Sequence, residues 1–223
     1  EKGPALKPLY AIVPEQAIEE VVAESLAGYR GRAPVRIGNA ARDQVQHDVY
    51  GSVILAAWQM FFDERLPKKG DVGLFRLLEP LGLCALRHAL TPDAGIWEYR
   101  GRTRIHTHSA ATCWAACDRL ARIAGVLDLA SAAKQWRDAA DDLREAILTR
   151  AWCDRGWFAG SLDGDELDAS VLLLHELGIV EATDPRFVST VERIGTGLGE
   201  NGLLLRYQAP DVFRRGTLTP YEG

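Results

Sequence analysis

Apolar residues recur at three- and four-residue steps along most of the chain, the spacing of amphipathic helices. The clearest stripe runs from Gln44 to Leu66. There Val45, Val49, Val53, Ile54, Ala57, Trp58, Phe61 and Phe62 follow i, i+4 and i+8 positions. Val72 to Leu90 repeats the pattern with Leu74, Leu77, Leu78, Leu81 and Ala85, and Pro80 predicts a kink or break within it. Thr107 to Ile123 ends at Gly125, and Ala130 to Trp152 carries Trp136, Ala140, Leu143, Ile147 and Ala151. Asp184 to Leu198 has a capping aspartate, Pro185 in the first helical position and Gly199 beyond its end. Pro14 to Leu26, opening on Pro14-Glu15, and Glu166 to Leu177, closed by Gly178, complete seven predicted helices.

The connections come in two sizes. Gly125 to Leu129 and Gly178 to Thr183 are tight. Gly28 to Arg42, Thr91 to His106, Cys153 to Asp165 and Gly199 to Gly223 are long and rich in Gly, Arg and aromatics. Long structured loops carry function more often than tight turns do. Alternation of long and short connections predicts layered antiparallel helices, an all-α arrangement. Only Trp157 to Ser161 and Leu203 to Tyr207 read as strand.

Composition narrows the function classes. The chain has 223 residues, 47% of them hydrophobic and 26% charged, with a net charge of −5. That size is one good-sized domain with a substantial core. The acidic balance argues against nucleic acid held on a basic surface. No apolar run reaches the ~18 residues of a membrane span, and Glu1-Lys2-Gly3-Pro4 begins no signal peptide. Cys84, Cys113, Cys117 and Cys153 lie in helical, apolar contexts without C-x-x-C spacing, which predicts reduced core thiols and a cytoplasmic protein. The sole Met is Met60 and the chain stops at Tyr221-Glu222-Gly223, so a processed or partial polypeptide is expected.

The segment Pro92-Asp93-Ala94-Gly95-Ile96-Trp97-Glu98-Tyr99-Arg100-Gly101 concentrates the candidate chemistry. Glu98 sits between two large aromatics with Arg100 two residues on. A carboxyl packed against indole loses solvent and gains proton affinity, as a general acid requires. Aromatic faces and Arg donors also suit a sugar, with its apolar faces and hydroxyl edges. The alternative is a loop ion pair, Glu98 with Arg100 or Arg102, with Trp97 plugging the core.

Taken with His108-Ser109, Cys113-Trp114 and Asp118-Arg119, the run Gly95 to Gly101 resembles the family 15 glycoside hydrolases, the glucoamylase, glucodextranase and bacterial trehalase group. Four further segments agree in order. They are Gly28-Tyr29-Arg30-Gly31, then Pro34 to Ala40 with Gln44 to Tyr50, then Leu167-Asp168-Ala169-Ser170, and Asn201-Gly202-Leu203 to Arg206-Tyr207. Tyr221-Glu222-Gly223 resembles the start of an E-G-A-F stretch.

The resemblance implies an (α/α)6 toroid hydrolysing α-glucosidic bonds with inversion, on trehalose or short α-glucans. Glu98 matches the general acid. Trp97 matches a wall of the first sugar, and Arg206 an Arg that holds its hydroxyls. Arg100, Tyr29, Arg36, Asn39, Gln44 and His108 match further substrate-binding positions, with Ser109 equally a helix cap. The family's general base lies in a later S-E-E or S-E-Q motif that these residues do not contain, and its early W-D-x-R motif is also absent. Twelve helices need roughly 400 residues. Residues 1–223 therefore read as the central portion of the catalytic domain, truncated at both ends. The chemistry requires neither metal nor organic cofactor. The partner is a small carbohydrate, without nucleic acid or membrane. An incomplete ring would expose apolar strips such as Val45 to Phe62, which predicts hidden chain, poor solubility or self-association into a homo-oligomer.

Three rivals stand beside this reading. His106-x-His108 with Cys113 and Cys117 places four potential zinc ligands close together, though in no established spacing. A non-catalytic helical interaction or carbohydrate-binding scaffold is the second. A polysaccharide lyase on the same toroid is the third, and the negative charge weighs against its anionic substrate.

Overall fold

The computed structural model describes residues 5–13, 18–99 and 101–208. Six helices dominate them. These are α1 (Asp48–Phe62), α2 (Val72–His88), α3 (Thr107–Val126), α4 (Ala130–Ala151), α5 (Leu173–Leu177) and α6 (Pro185–Gly197). Three two-residue antiparallel ribbons join them: β1 (Val21–Val22) with β2 (Arg36–Ile37), β3 (Trp152–Cys153) with β4 (Trp157–Phe158), and β5 (Gly199–Glu200) with β6 (Leu203–Leu204).

α3 is the centre, packed by α1, α2, α4 and α5. Sixteen of its twenty residues are buried, half of them Ala or Cys. Small side chains let neighbours approach on every side, so the helix shows no single apolar stripe. The closest approach is to α1. A Cβ on Gly51 would lie 2.2 Å from the Thr112 carbonyl oxygen, so only glycine fits there. Asp118 fastens α3 to α4. Its buried carboxylate pairs with Arg119 at 2.5 Å, Arg137 at 2.8 Å and Arg122 at 3.0 Å. Burial opposes that charge, but the guanidinium groups outweigh it and hold the pKa below the usual carboxylate range.

Five of the predicted helices form near their expected limits. Asp184 caps α6 through Arg186 N at 2.9 Å, and Gly178 closes α5 at φ 87°. α2 runs through Pro80 as one helix rather than breaking.

Two expectations fail. The described part of Pro14 to Leu26 is not helical. Val21, Val22 and Leu26 are exposed, so no neighbour among the described residues takes an apolar face, and the segment pairs with β2 instead. Glu166 to Leu177 is helical only at its end. Asp168 is extended at φ −145°, caps a 3-10 turn over Ala169–Leu172, and bridges to Tyr207.

All four cysteines are buried and free, as expected. No helix of the described residues is long and apolar enough to cross a membrane.

Candidate active site

The Gly95 to Tyr99 turn follows α2 by way of Asp93, which is fully buried and acts as its first anchor. Asp93 Oδ2 accepts from His47 N at 2.8 Å, and Oδ1 accepts from Gly95 N at 3.2 Å. Its backbone pairs with Arg104, and Ala94 N donates to Val45 O at 2.9 Å. The chain then reverses. Glu98 N donates to Gly95 O at 3.0 Å, and Tyr99 N to Ala94 O at 3.1 Å. Gly95 has φ +71°, and a Cβ there would meet the His106 ring at 2.7 Å. Glu98 itself is left-handed at φ 55°, a conformation costing a non-glycine residue about 1–2 kcal/mol.

The side chains flanking Glu98 converge on one carboxylate. Trp97 Nε1 donates to Asp168 Oδ1 at 2.8 Å, and the Tyr99 hydroxyl donates to Asp168 Oδ2 at 3.3 Å. Ser170 N donates to the same Oδ1 at 2.8 Å. From the other side, Gln44 Nε2 donates to the carbonyls of Glu98 at 3.1 Å and Tyr99 at 3.3 Å.

Arg206 and Tyr207 close the cluster. Ala169 N donates to Arg206 O at 2.9 Å. The Arg206 guanidinium lies 5.5 Å from the Trp97 ring centroid, within cation–π range. Tyr99 stacks on His106 at 5.3 Å, tilts against Tyr207 at 4.7 Å and lies under Arg102 at 4.9 Å. Burial, and then the Asp168 charge, push the Tyr99 hydroxyl well above its ordinary pKa, so it stays a donor. Tyr99 and Tyr207 also wall a cavity of about 260 Å³ with Arg102, Trp157 and Glu166.

Glu98 points outward and is exposed. The desolvation expected from its aromatic neighbours is not supplied by the described residues, because Trp97 and Tyr99 turn toward Asp168 instead. Nor does Arg102 pair with Glu98. It pairs with Glu166 at 3.4 Å, and Glu166 also accepts from Ser161 at 2.6 Å. Arg100 lies outside the described residues, as does the Tyr221 to Gly223 stretch.

The other expected positions fall differently. Gln44 braces the turn through its amide. Tyr29 is exposed, with Arg30 5.2 Å from its ring. Arg36 Nε lies 3.0 Å from Glu20 Oε1. Asn39 Oδ1 accepts from Ala41 N at 2.9 Å, capping the 3-10 turn Ala40–Asp43.

His108 is enclosed rather than presented to a ligand. Its Nε2 lies 3.5 Å from Thr112 Oγ1, and burial pushes the imidazole down to about 4, with His106 adding to the shift. Ser109 is not the cap of α3, because His106 occupies that position. His106 stacks on Tyr99, and Cys113 Sγ donates to His47 O at 3.3 Å. Burial raises the thiols, Cys117 to about 12. Among the described residues no group of three or more His, Cys, Asp or Glu could hold a metal.

Two residues central to the geometry carry no local signal for it. Asp168 reads as a helix start and does cap a turn, but its indole and phenol donors are about 70 residues away in sequence. Asp93 sits in ordinary turn chemistry, and its bond to His47 N depends on tertiary packing.

The family model "Glycosyl hydrolases family 15" matches residues 5–215. The trehalase of Mycobacterium tuberculosis is 37% identical over 208 residues, covering 93% of this chain and 30% of its own length. A trehalase of Thermoplasma volcanium is 32% identical, covering 92% of this chain and 33% of its own. The chain thus spans about a third of these curated relatives. A solved structure described as "Glycosidase Wild Type" superposes with a TM-score of 0.61 at 19% identity, covering 79% of this chain and 48% of that one. At that identity the likeness speaks for the fold alone.

Proposed function

Since the chain belongs to glycosyl hydrolase family 15, we propose that it forms the central part of an (α/α)6 catalytic domain that hydrolyses trehalose with inversion, Glu98 serving as general acid. The trehalase relatives favour trehalose over longer α-glucans. The observation that carries the acid is the turn itself. A left-handed Glu98 stands exposed at its outer side, while both flanking side chains are tied back to Asp168.

In this reading Glu98 gives its proton to the bridging oxygen as that bond to the anomeric carbon breaks. A base elsewhere in the protein, roughly 6.5–9.5 Å from it, takes a proton from the attacking water. Trehalose and water become two glucose molecules, one β from the attacked ring and one α from the leaving ring. Trp97 offers an apolar wall to the sugar, and Arg206, held over that indole, offers N–H donors to its hydroxyl oxygens. Tyr29, Arg36 and Asn39 contribute to the outer pocket.

The test is Glu98→Gln in the full-length enzyme. Turnover of trehalose should fall by two orders of magnitude or more with an unchanged melting temperature, since general acid catalysis contributes ~10²- to 10⁴-fold. Proton NMR before mutarotation should show α- and β-glucose in equal amounts for the unaltered enzyme. Near-full activity of the variant would remove Glu98 from the role, and α-glucose alone would remove inversion.

A further inference from the structure

The residues around Glu98 do more than surround it. Asp168 is buried on an extended stretch that also caps the 3-10 turn Ala169–Leu172 and bridges to Tyr207. Capping requires one acceptor, and Ser170 N at Oδ1 supplies that need. The remaining capacity of the carboxylate is spent on Trp97 at Oδ1 and Tyr99 at Oδ2, the residues immediately before and after Glu98. One rigid anion therefore grips the turn on both sides of its apex. The Gln44 amide holds the Glu98 and Tyr99 carbonyls at the same time. The left-handed Glu98 backbone is over-determined by these contacts, which is how a strained conformation persists.

We infer that Asp168 is the positioning residue of this site. It holds Trp97 and Tyr99 by its two carboxylate oxygens so that the Glu98 carboxyl is aimed at the bridging oxygen of the substrate. The inference rests on Glu98 being the general acid. Asp168 itself touches no substrate and transfers no proton. Without it the indole and phenol lose their shared acceptor, and the turn can relax from its left-handed apex. Misplacement of a reacting group by about 1 Å costs on the order of 10²-fold.

The experiment uses two substrates that differ in their need for acid. Trehalose leaves as a sugar alkoxide and must be protonated. α-Glucosyl fluoride reacts with water to give glucose and hydrogen fluoride. Its C–F bond breaks to release fluoride, which needs little protonation by the enzyme. Four variants are made in the full-length enzyme: Glu98→Gln, Asp168→Asn, Asp168→Ala and their combination Glu98→Gln with Asp168→Ala.

Asp168→Ala should lower kcat on trehalose about 10²-fold. On the fluoride it should lower kcat no more than about threefold, since general acid catalysis, ~10²- to 10⁴-fold, is what kcat loses, while KM should rise alike for both substrates because Trp97, released from Asp168, also walls the sugar. Asp168→Asn should lose less. Its oxygen can still serve Trp97 and Ser170, and its amide can donate to a Tyr99 hydroxyl that has turned to accept. In the Glu98→Gln background, Asp168→Ala should add less than about threefold, because groups acting as one unit are non-additive.

Equal losses on both substrates would make Asp168 a structural residue only and overturn the inference. Full additivity in the double variant would overturn it as well. If Glu98→Gln shows the substrate split and neither Asp168 variant does, the acid assignment stands and the positioning role falls. If Glu98→Gln shows no split, the acid assignment falls and takes this inference with it. Should Asp168→Ala fail to fold, Asp168→Asn and Tyr99→Phe, which removes a single hydrogen bond, must show the same split to a smaller degree.

Discussion

The turn over residues 94–99 and the segment over residues 28–43 are both matched to substrate binding, yet they are built in opposite ways. The turn is fixed by buried groups from distant parts of the chain: Asp93 below it, Asp168 across it and Gln44 beside it. The earlier segment is fixed mostly by its own neighbours. Asn39 caps its adjacent turn, Arg30 lies over Tyr29, and Arg36 meets Glu20 across the short β1–β2 ribbon, in residues that are largely exposed. A catalytic group needs a fixed position, so its support must come from the core. A pocket rim can be held locally, because hydroxyl recognition tolerates adjustment.

The sharpest way to break this contrast is at the buried anchor. Asp93→Ala strips the acceptor from His47 N and Gly95 N, both deep in the structure. Each orphaned buried donor costs about 1–3 kcal/mol. The full-length enzyme should lose about 2–6 kcal/mol of stability in urea unfolding on the same scale, together with most of its turnover. A stable variant with intact turnover would show that the turn does not depend on Asp93.

His108 sharpens the comparison from within the core. Burial holds its imidazole neutral, with a pKa near 4 against 6.5 in the unfolded chain. The unfolded chain therefore binds this proton first. The neutral ring's contribution is fully present above pH 6.5 and is lost as pH falls toward about 4. The cost at the acid end is up to about 3 kcal/mol. His108→Gln should flatten the stability profile between those limits, measured as urea midpoints across pH. An unchanged acid limb would assign acid sensitivity to other groups.

What the sequence disclosed follows the same division. Helices α1, α2, α4 and α6 were legible because each buries a periodic face or carries its own cap, as with Asp184 and Pro185, and α3 was legible as an apolar, small-residue run ended near Gly125. The Glu98 turn was legible as a motif with an Arg and two aromatics. Its electrostatics were not, since neighbours in sequence suggested that Trp97 and Tyr99 would enclose the carboxyl. Both instead turn to a carboxylate some 70 residues on, a pairing set by where the 3-10 turn Ala169–Leu172 and the bridge from Asp168 to Tyr207 pack. Pro14 to Leu26 failed for a related reason. Its composition favours helix, but no partner surface covers Val21, Val22 or Leu26 in the described residues.

The smallest expected effect belongs to the locally held segment. Asn39→Ala removes one cap, Oδ1 from Ala41 N, in a partly exposed 3-10 turn. Cap removal costs about 0.5–2 kcal/mol in a full helix, and a single short turn at the surface should sit at the low end. If Asn39 also holds a sugar hydroxyl, KM for trehalose should rise by less than about tenfold, one ordinary hydrogen bond being worth 0.5–1.5 kcal/mol. Turnover at saturation should be unchanged, because Asn39 has no part in aiming Glu98. Thermal melting and a trehalose titration of the full-length enzyme read the two effects separately. A fall in kcat comparable to that of Asp93→Ala would mean that residues 28–43 share in positioning the acid through their link at Gln44, and the two regions would then be one device rather than two.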